Sequence, residues 1–206
     1  MGNDNLNDII NRLVASTDNI ETRDIYADWA ESYDNDLEGY GYVAPQTGVA
    51  LLAGLLPDKT AKIADIGCGT GRVGQFLAEI GYTDVEGGDY SPDMLAKAAA
   101  CNCYTQLHTI DLTAPIPLKS AAYDAAICIG VYSSRFNEHF FPQILRILKP
   151  NAPFVISVRP NYFGDDVKPQ LDKLEADQKL FDLTTIEKPY MQGQGAQAHY
   201  ITFRKR

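Results

Sequence analysis

The segment Ala64-Asp65-Ile66-Gly67-Cys68-Gly69-Thr70-Gly71-Arg72 constrains this chain more than any other. An apolar-flanked run over 61–66 closes around an acid, glycines follow at every second position, and a helix-like stretch begins at Arg72. Alternating glycines let a backbone turn sharply and come close to a ligand, because no Cβ stands in the way. The helix that follows presents free N–H groups and the positive end of its dipole to whatever lies above the loop. Strand, loop and helix together predict a cofactor loop of the nucleotide-binding type at the carboxyl end of a strand.

The pattern downstream alternates. Strands are predicted over 62–66, 84–89, 104–110, 123–129 and 154–158, with helices over 72–80, 92–100 and 138–148 between them. Gly81 stops the first of these helices, Pro92 opens the second, and Pro150 follows the third. Such alternation predicts an α/β fold: a doubly wound, mostly parallel sheet with right-handed crossovers and helices on both faces. The end breaks the rhythm. Residues 180–189 and 198–203 are strand-like and are joined through Gly193 and Gly195 with no helix between them. They predict a terminal hairpin that places one antiparallel strand in the sheet. Upstream, 6–14, 22–33 and 45–56 read as helices, the last carrying an apolar stripe of Val49, Leu52, Ala53 and Leu56 closed by Pro57. The expected organisation is a helical cap over 1–56 and a cofactor-binding core over 57–206, within a single globular domain.

Composition narrows the partners. The chain has 206 residues, 45% hydrophobic and 22% charged, which suits an ordered domain with a full core. Lys and Arg number 18 against 27 Asp and Glu, a net charge of −9. A chain this acidic is poorly suited to a phosphate backbone, so no DNA partner is expected. Cys101 and Cys103 lack a second pair at zinc spacing, and Cys68 and Cys128 sit in the glycine loop and an apolar run. No metal is expected, and the thiols read as reduced, packed groups. There is no apolar run of about 18 residues to span a membrane. The polar start of the chain shows no signal-peptide pattern. The expected location is the cytoplasm, as a monomer or homodimer.

Two cofactors compete for the loop. Gly69-x-Gly71-x-x-Gly74 fits the dinucleotide fingerprint, with Asp89 as a ribose-binding acid. Asp65 opposes that reading, because a carboxylate at the strand end repels a pyrophosphate. It favours a ligand that carries an ammonium and a sulfonium, as S-adenosylmethionine (SAM) does. Asp89, ending the second strand, accepts hydrogen bonds from two ribose hydroxyls in this reading. Asp111, ending the third, is a candidate for the adenine amino group or a plain turn residue before Pro115. Met94 and Leu95 are candidates for the adenine pocket or for the core. Ile129-Gly130-Val131 closes the fourth strand, where Gly130 lets the backbone approach the methionine part. The expected cofactor residues in the core are thus Asp65, Gly67, Cys68, Gly69, Gly71, Asp89, Tyr90, Met94, Asp111, Leu112, Ile129 and Gly130. Trp29 and Tyr33 are four apart and share one helix face. With Tyr26 they are expected to cover the cofactor; a core staple is the other reading of that face.

Taken together these pieces resemble the class I SAM-dependent methyltransferases. The resemblance rests on Asp65-x-Gly67-Cys68-Gly69-Thr70-Gly71, Gly87-x-Asp89-x-Ser91-x-x-Met94-Leu95, Asp111-Leu112, Tyr123-Asp124 and Ile144-Leu145-Arg146-Ile147-Leu148-Lys149-Pro150, in that order over 61–158. Tyr26-Ala27-x-Trp29-Ala30-x-x-Tyr33-Asp34 extends it upstream. The chain is most similar to the methyltransferase-like family of the Williams–Beuren chromosome region, and more loosely to the ubiquinone- and menaquinone-pathway C-methyltransferases. The resemblance implies a Rossmann-like sheet of seven strands with the last antiparallel, SAM as cofactor and S-adenosylhomocysteine as product. Asn151-Ala152 departs from the family's usual Gly-Gly after the proline, in the turn before the fifth strand.

Methyl transfer from a sulfonium is an in-line displacement from a good leaving group, so positioning and desolvation supply much of the rate. A general base is needed only where the acceptor must lose a proton. The sequence singles out no base. Tyr33, His139 and Arg159 are the catalytic candidates, with a solvated helix position as the other reading of His139. Tyr132, Arg135, Arg159, Asn161 and Tyr162 fall near strand carboxyl ends and are the expected substrate residues. Arg159 directly follows the fifth strand, suited to an anionic or carbonyl-bearing substrate or to a surface pair with Asp165 or Asp166. Methylation of a small molecule is the expected function. Protein or RNA methylation and non-catalytic SAM binding are the alternatives.

Overall fold

The computed structural model describes Ile9, Arg12, Ile25, Asp28, Trp29 and residues 32–132 and 138–206. The expected helix over 6–14, most of that over 22–33, and the site candidates Tyr26 and Arg135 lie outside the described residues.

Seven strands form one sheet: β1 (Lys62–Ile66), β2 (Asp84–Asp89), β3 (Gln106–Thr109), β4 (Ala125–Cys128), β5 (Pro153–Val158), β6 (Leu180–Met191) and β7 (Ala196–Lys205). Their order is β3-β2-β1-β4-β5-β7-β6. β1 to β5 are parallel, and β7 runs antiparallel between β5 and β6. The order reverses between β1 and β4, so the loops leaving those two strands diverge and open a crevice at their carboxyl ends.

The main helices among the described residues are α1 (Tyr33–Gly39), α2 (Ala44–Leu55), α3 (Arg72–Glu79), α4 (Pro92–Ala100), α5 (Phe140–Ile147) and α6 (Lys168–Ala176). Alternation along the strands splits the core in two. Ile63, Ile127, Val155 and Tyr200 face Val49 and Leu52 of α2 and Val73 and Leu77 of α3. Ala64, Ala126, Ile156 and Phe203 face Phe141, Ile144 and Ile147 of α5 and Leu171 of α6. A sheet covered on both faces needs apolar residues on both, which is why every residue of β4 is buried.

Between β5 and β6 the chain is helical through Pro160–Tyr162, a wide π-type turn at Phe163–Val167, and α6. The sequence pattern did not predict this run. Pro160, Gly164 and Pro169 interrupt it, and within it only Val167 and Leu171 are buried. β6 extends further than expected, with irregularities at Phe181/Thr184 and Pro189/Met191. Proline is tolerated there because β6 is an edge strand.

The segment before α2 is tied to that edge. Val43 N–H donates to Tyr190 O at 3.1 Å, Gln192 N–H to Gly41 O at 3.0 Å and Gly193 N–H to Tyr40 O at 3.1 Å. A Cβ at Gly193 would stand 2.9 Å from Tyr40 O, so this backbone approach requires glycine. Among the described residues no helix is long and apolar enough to cross a membrane.

Candidate active site

The loop leaving β1 is held by its own backbone. Gly67 and Cys68 N–H both donate to Gly88 O, at 2.7 and 2.9 Å, and Gly71 N–H closes the turn on Cys68 O at 2.9 Å. Gly67, Gly69 and Gly71 have φ of 75°, 54° and 100°, a region other residues enter only with strain. A Cβ at Gly67 would strike the Val131 side chain at 2.3 Å, whereas one at Gly69 would meet nothing within 4 Å. The backbone at Gly69 therefore faces open space where a ligand can approach closely. Cys68 is buried, and burial pushes its thiol far up, so it stays neutral.

Two carboxylates flank this loop. Asp65 is 1% exposed. Its Oδ2 accepts the Tyr104 hydroxyl at 2.7 Å, and that hydroxyl in turn accepts Gly74 N–H at 3.2 Å. The Tyr104 ring fits where glycines leave room: a Cβ at Gly74 would be 2.4 Å from it and one at Gly87 2.9 Å. Asp65 Oδ1 has no partner. Burial pushes this carboxyl up to about 7, against the pull of the Tyr104 bond and with help from the charge of Asp89. Asp89 Oδ2 accepts Gly69 N–H and its Oδ1 accepts Ser91 N–H, both at 2.9 Å. Each of those oxygens keeps a second lone pair for a ligand hydroxyl. A buried carboxylate with an orphaned oxygen suits a cationic ligand and repels a pyrophosphate, so the donor set fits SAM better than a dinucleotide.

The remaining sequence candidates are placed as follows. Asp111 Oδ1 accepts both the N–H and the hydroxyl of Thr113, at 2.8 and 2.7 Å, the geometry of a turn. Met94 is buried one turn into α4, which Ser91 caps, and Tyr90 and Leu112 are half-buried. The Ile129 side chain packs toward α2, where a Cβ at Gly48 would meet it at 2.5 Å. Trp29 lies in the core with Leu37 and Tyr42, and its indole N–H donates to Asp36 at 2.8 Å. Tyr33 opens α1. The next residue, Asp34, was not a sequence candidate, yet it accepts the Thr70 hydroxyl at 2.8 Å and lies 3.7 Å from Arg72 Nη1. α1 thereby grips the glycine loop.

At the carboxyl ends of β4 and β5 a second group gathers. Gly130 has φ 78° and donates its N–H to Ser157 Oγ at 2.9 Å. A Cβ there would be 2.3 Å from the Tyr42 hydroxyl and 3.2 Å from that of Tyr190. These two rings meet edge to face at 5.1 Å. Arg159 lies over the Tyr162 ring at 5.2 Å. Tyr132 is buried in an aromatic cluster with Phe140, Phe141 and Tyr162, and burial followed by the charge of Asp166 pushes its hydroxyl up to about 12. Asn161 and His139 are exposed, His139 in the turn that opens α5. Tyr42, Tyr104 and Tyr190 carried no sequence signal, because each reaches the site through contacts far away along the chain. Among the described residues no group of side chains could hold a metal ion.

Residues 63–151 match the family described as a methyltransferase domain. Human methyltransferase-like protein 27 is 32% identical over 158 residues, 73% of this chain and 64% of its own length. The 18S rRNA (guanine(1575)-N(7))-methyltransferase of Saccharomyces cerevisiae is 31% identical over 110 residues, 48% of this chain and 40% of its own. The chain thus spans less than two thirds of either relative. Magnesium protoporphyrin IX methyltransferase from Synechocystis, solved with bound SAM, shares the fold with a TM-score of 0.61 at 17% identity, over 97% of this chain and 90% of that one. Motif set, strand order and relatives agree: the chain carries a methyltransferase domain of the class I, SAM-dependent type.

Proposed function

We propose that this chain transfers a methyl group from SAM to a small-molecule acceptor. The observation that carries the cofactor half is the buried, half-partnered Asp65 beside the open backbone of Gly69. Asp65 takes the ammonium, Asp89 takes the ribose hydroxyls, and Gly69 admits the ligand to the backbone. SAM supplies a methyl group on a sulfonium, which leaves as a neutral thioether, so the protein contributes placement and exclusion of water. Gly130 and the Tyr42 and Tyr190 hydroxyls border the place where cofactor and acceptor meet.

The acceptor half rests on charge. A chain with 27 acids against 18 bases repels RNA, the substrate class in the name of the yeast relative. We further place the protein in the cytoplasm, in keeping with its four free thiols. Calorimetry with SAM, S-adenosylhomocysteine and NAD tests the cofactor half; tight NAD binding without a SAM signal ends it. Asp89→Ala loses two hydrogen bonds to a charged acceptor, about 1.5–3 kcal/mol each at most, and is expected to weaken SAM accordingly. Incubation of a cell extract with tritiated SAM tests the acceptor half. Label in RNA or protein rather than in small molecules overturns it.

A further inference from the structure

A continuous line of contacts leads from the glycine loop to an arginine. Val131 packs where Gly67 lacks a Cβ, Gly130 donates to Ser157 Oγ at 2.9 Å, and Arg159 lies two residues beyond Ser157, just past the end of β5. The Tyr42 and Tyr190 hydroxyls converge over the bare backbone of Gly130. Burial pushes the Tyr190 phenol up, against its hydrogen bond with Tyr42 and the charge of Arg159.

Among the described residues Arg159 has no counter-ion. No described carboxylate lies within 4.0 Å of it, and neither Asp165 nor Asp166 pairs with it. Its contacts are the face of Tyr162 at 5.2 Å and a weak 3.4 Å approach to the Tyr162 hydroxyl. A half-buried guanidinium steadied against a ring keeps its planar fork of donors available. In a chain with an excess of acids, an arginine left unpaired at the strand ends is selective for an incoming anion. The planar fork matches a carboxylate, which it binds through two parallel hydrogen bonds.

We infer that Arg159, steadied on the Tyr162 ring, is the subsite for a carboxylate of the acceptor, and that the substrate is a small organic acid. The carboxylate anchors on Arg159, and the atom to be methylated turns back toward Gly130. The inference rests on the methyltransferase reading above and narrows its acceptor class.

The test divides a cell extract into macromolecules and small molecules, and the small molecules by anion exchange into acids and non-acids, before each fraction reacts with tritiated SAM. Label is expected in the acid fraction. Arg159→Gln is expected to raise KM for that fraction roughly ten- to hundredfold, the effect of losing a bidentate charged contact. Its SAM affinity, measured by calorimetry, stays within twofold of the parent, which also confirms that the variant folds. Arg159→Lys restores part of the loss, because it keeps the charge without the fork. Label confined to non-acids overturns the carboxylate subsite and leaves small-molecule methylation standing. Label confined to RNA or protein, or no label, overturns both. An Arg159→Gln protein that no longer binds SAM overturns the inference by making Arg159 a cofactor residue.

Discussion

Asp65 makes one hydrogen bond, from Tyr104, and its other oxygen makes none. Burial raises its carboxyl from 3.8 to about 7; the Tyr104 hydrogen bond holds it down and the Asp89 charge adds to the rise. A carboxyl raised in the folded state costs stability as pH climbs from 3.8 toward about 7, so the ligand-free protein favours the protonated form. An ammonium at Oδ1 reverses that preference. SAM binding is therefore expected to expel a proton below about pH 7, and its apparent affinity to fall as pH drops further, by up to about tenfold per pH unit. Calorimetry near pH 6 in buffers of different ionisation enthalpy counts the proton; zero release would mean that Asp65 does not meet the cation. Tyr104→Phe keeps the ring in its glycine notch and removes the bond that holds the carboxyl down. The fall in affinity should then begin at higher pH, and an unmoved profile would assign Tyr104 a packing role alone.

At the scale of elements, α1 reaches the cofactor loop through one side chain. Asp34 takes the Thr70 hydroxyl at 2.8 Å and draws Arg72 to 3.7 Å. Asp34→Ala should loosen the loop and weaken SAM several-fold, with little effect on thermal stability because Asp34 is 46% exposed. Hydrogen exchange over 32–43 should slow when S-adenosylhomocysteine is added; equal exchange in both states would leave α1 a static prop. Leu52 of α2 is fully buried, so Leu52→Ala should cost about 2–5 kcal/mol in urea unfolding. A cost below about 1 kcal/mol would contradict the packing of α2 on the sheet. Much of this architecture was legible beforehand. β1 and β2 have the bounds read from the sequence, because an acid and a glycine stand together at the carboxyl end of each. The helical run after β5 was not legible, since two prolines and a glycine interrupt it. In the candidate site, the residues on the loop could be named from local spacing. Tyr104 could not, because its bond to Asp65 joins residues 39 apart and depends on glycines in α3 and β2 leaving room.

Across the whole molecule, one buried acid ties four segments of the sheet. Glu86 of β2 is 8% exposed and takes Lys62 Nζ from β1 at 2.5 Å, the Tyr123 hydroxyl from the approach to β4 at 2.5 Å, and His108 Nε2 from β3 at 2.9 Å. Burial alone would push this carboxyl up, but the bonds from Lys62, Tyr123 and His108 outweigh it and hold the group at about 2, below its ordinary 4.5. A carboxyl depressed in the folded state contributes stability that is fully present above pH 4.5 and is lost as pH falls through about 2. The contribution is about 2 kcal/mol by linkage, allowing for solvent screening at Lys62, which is 33% exposed. Glu86→Gln retains the size and a hydrogen-bonding oxygen but carries no charge. It should therefore unfold more easily than the parent protein near neutral pH, and the gap should close as acid protonates Glu86 in the parent. Urea unfolding of both proteins between pH 7 and about pH 2.5 measures that gap directly. A gap that stays constant across the range would show that Glu86 acts by packing and not by charge, and the acid sensitivity of the sheet would have to come from another carboxylate.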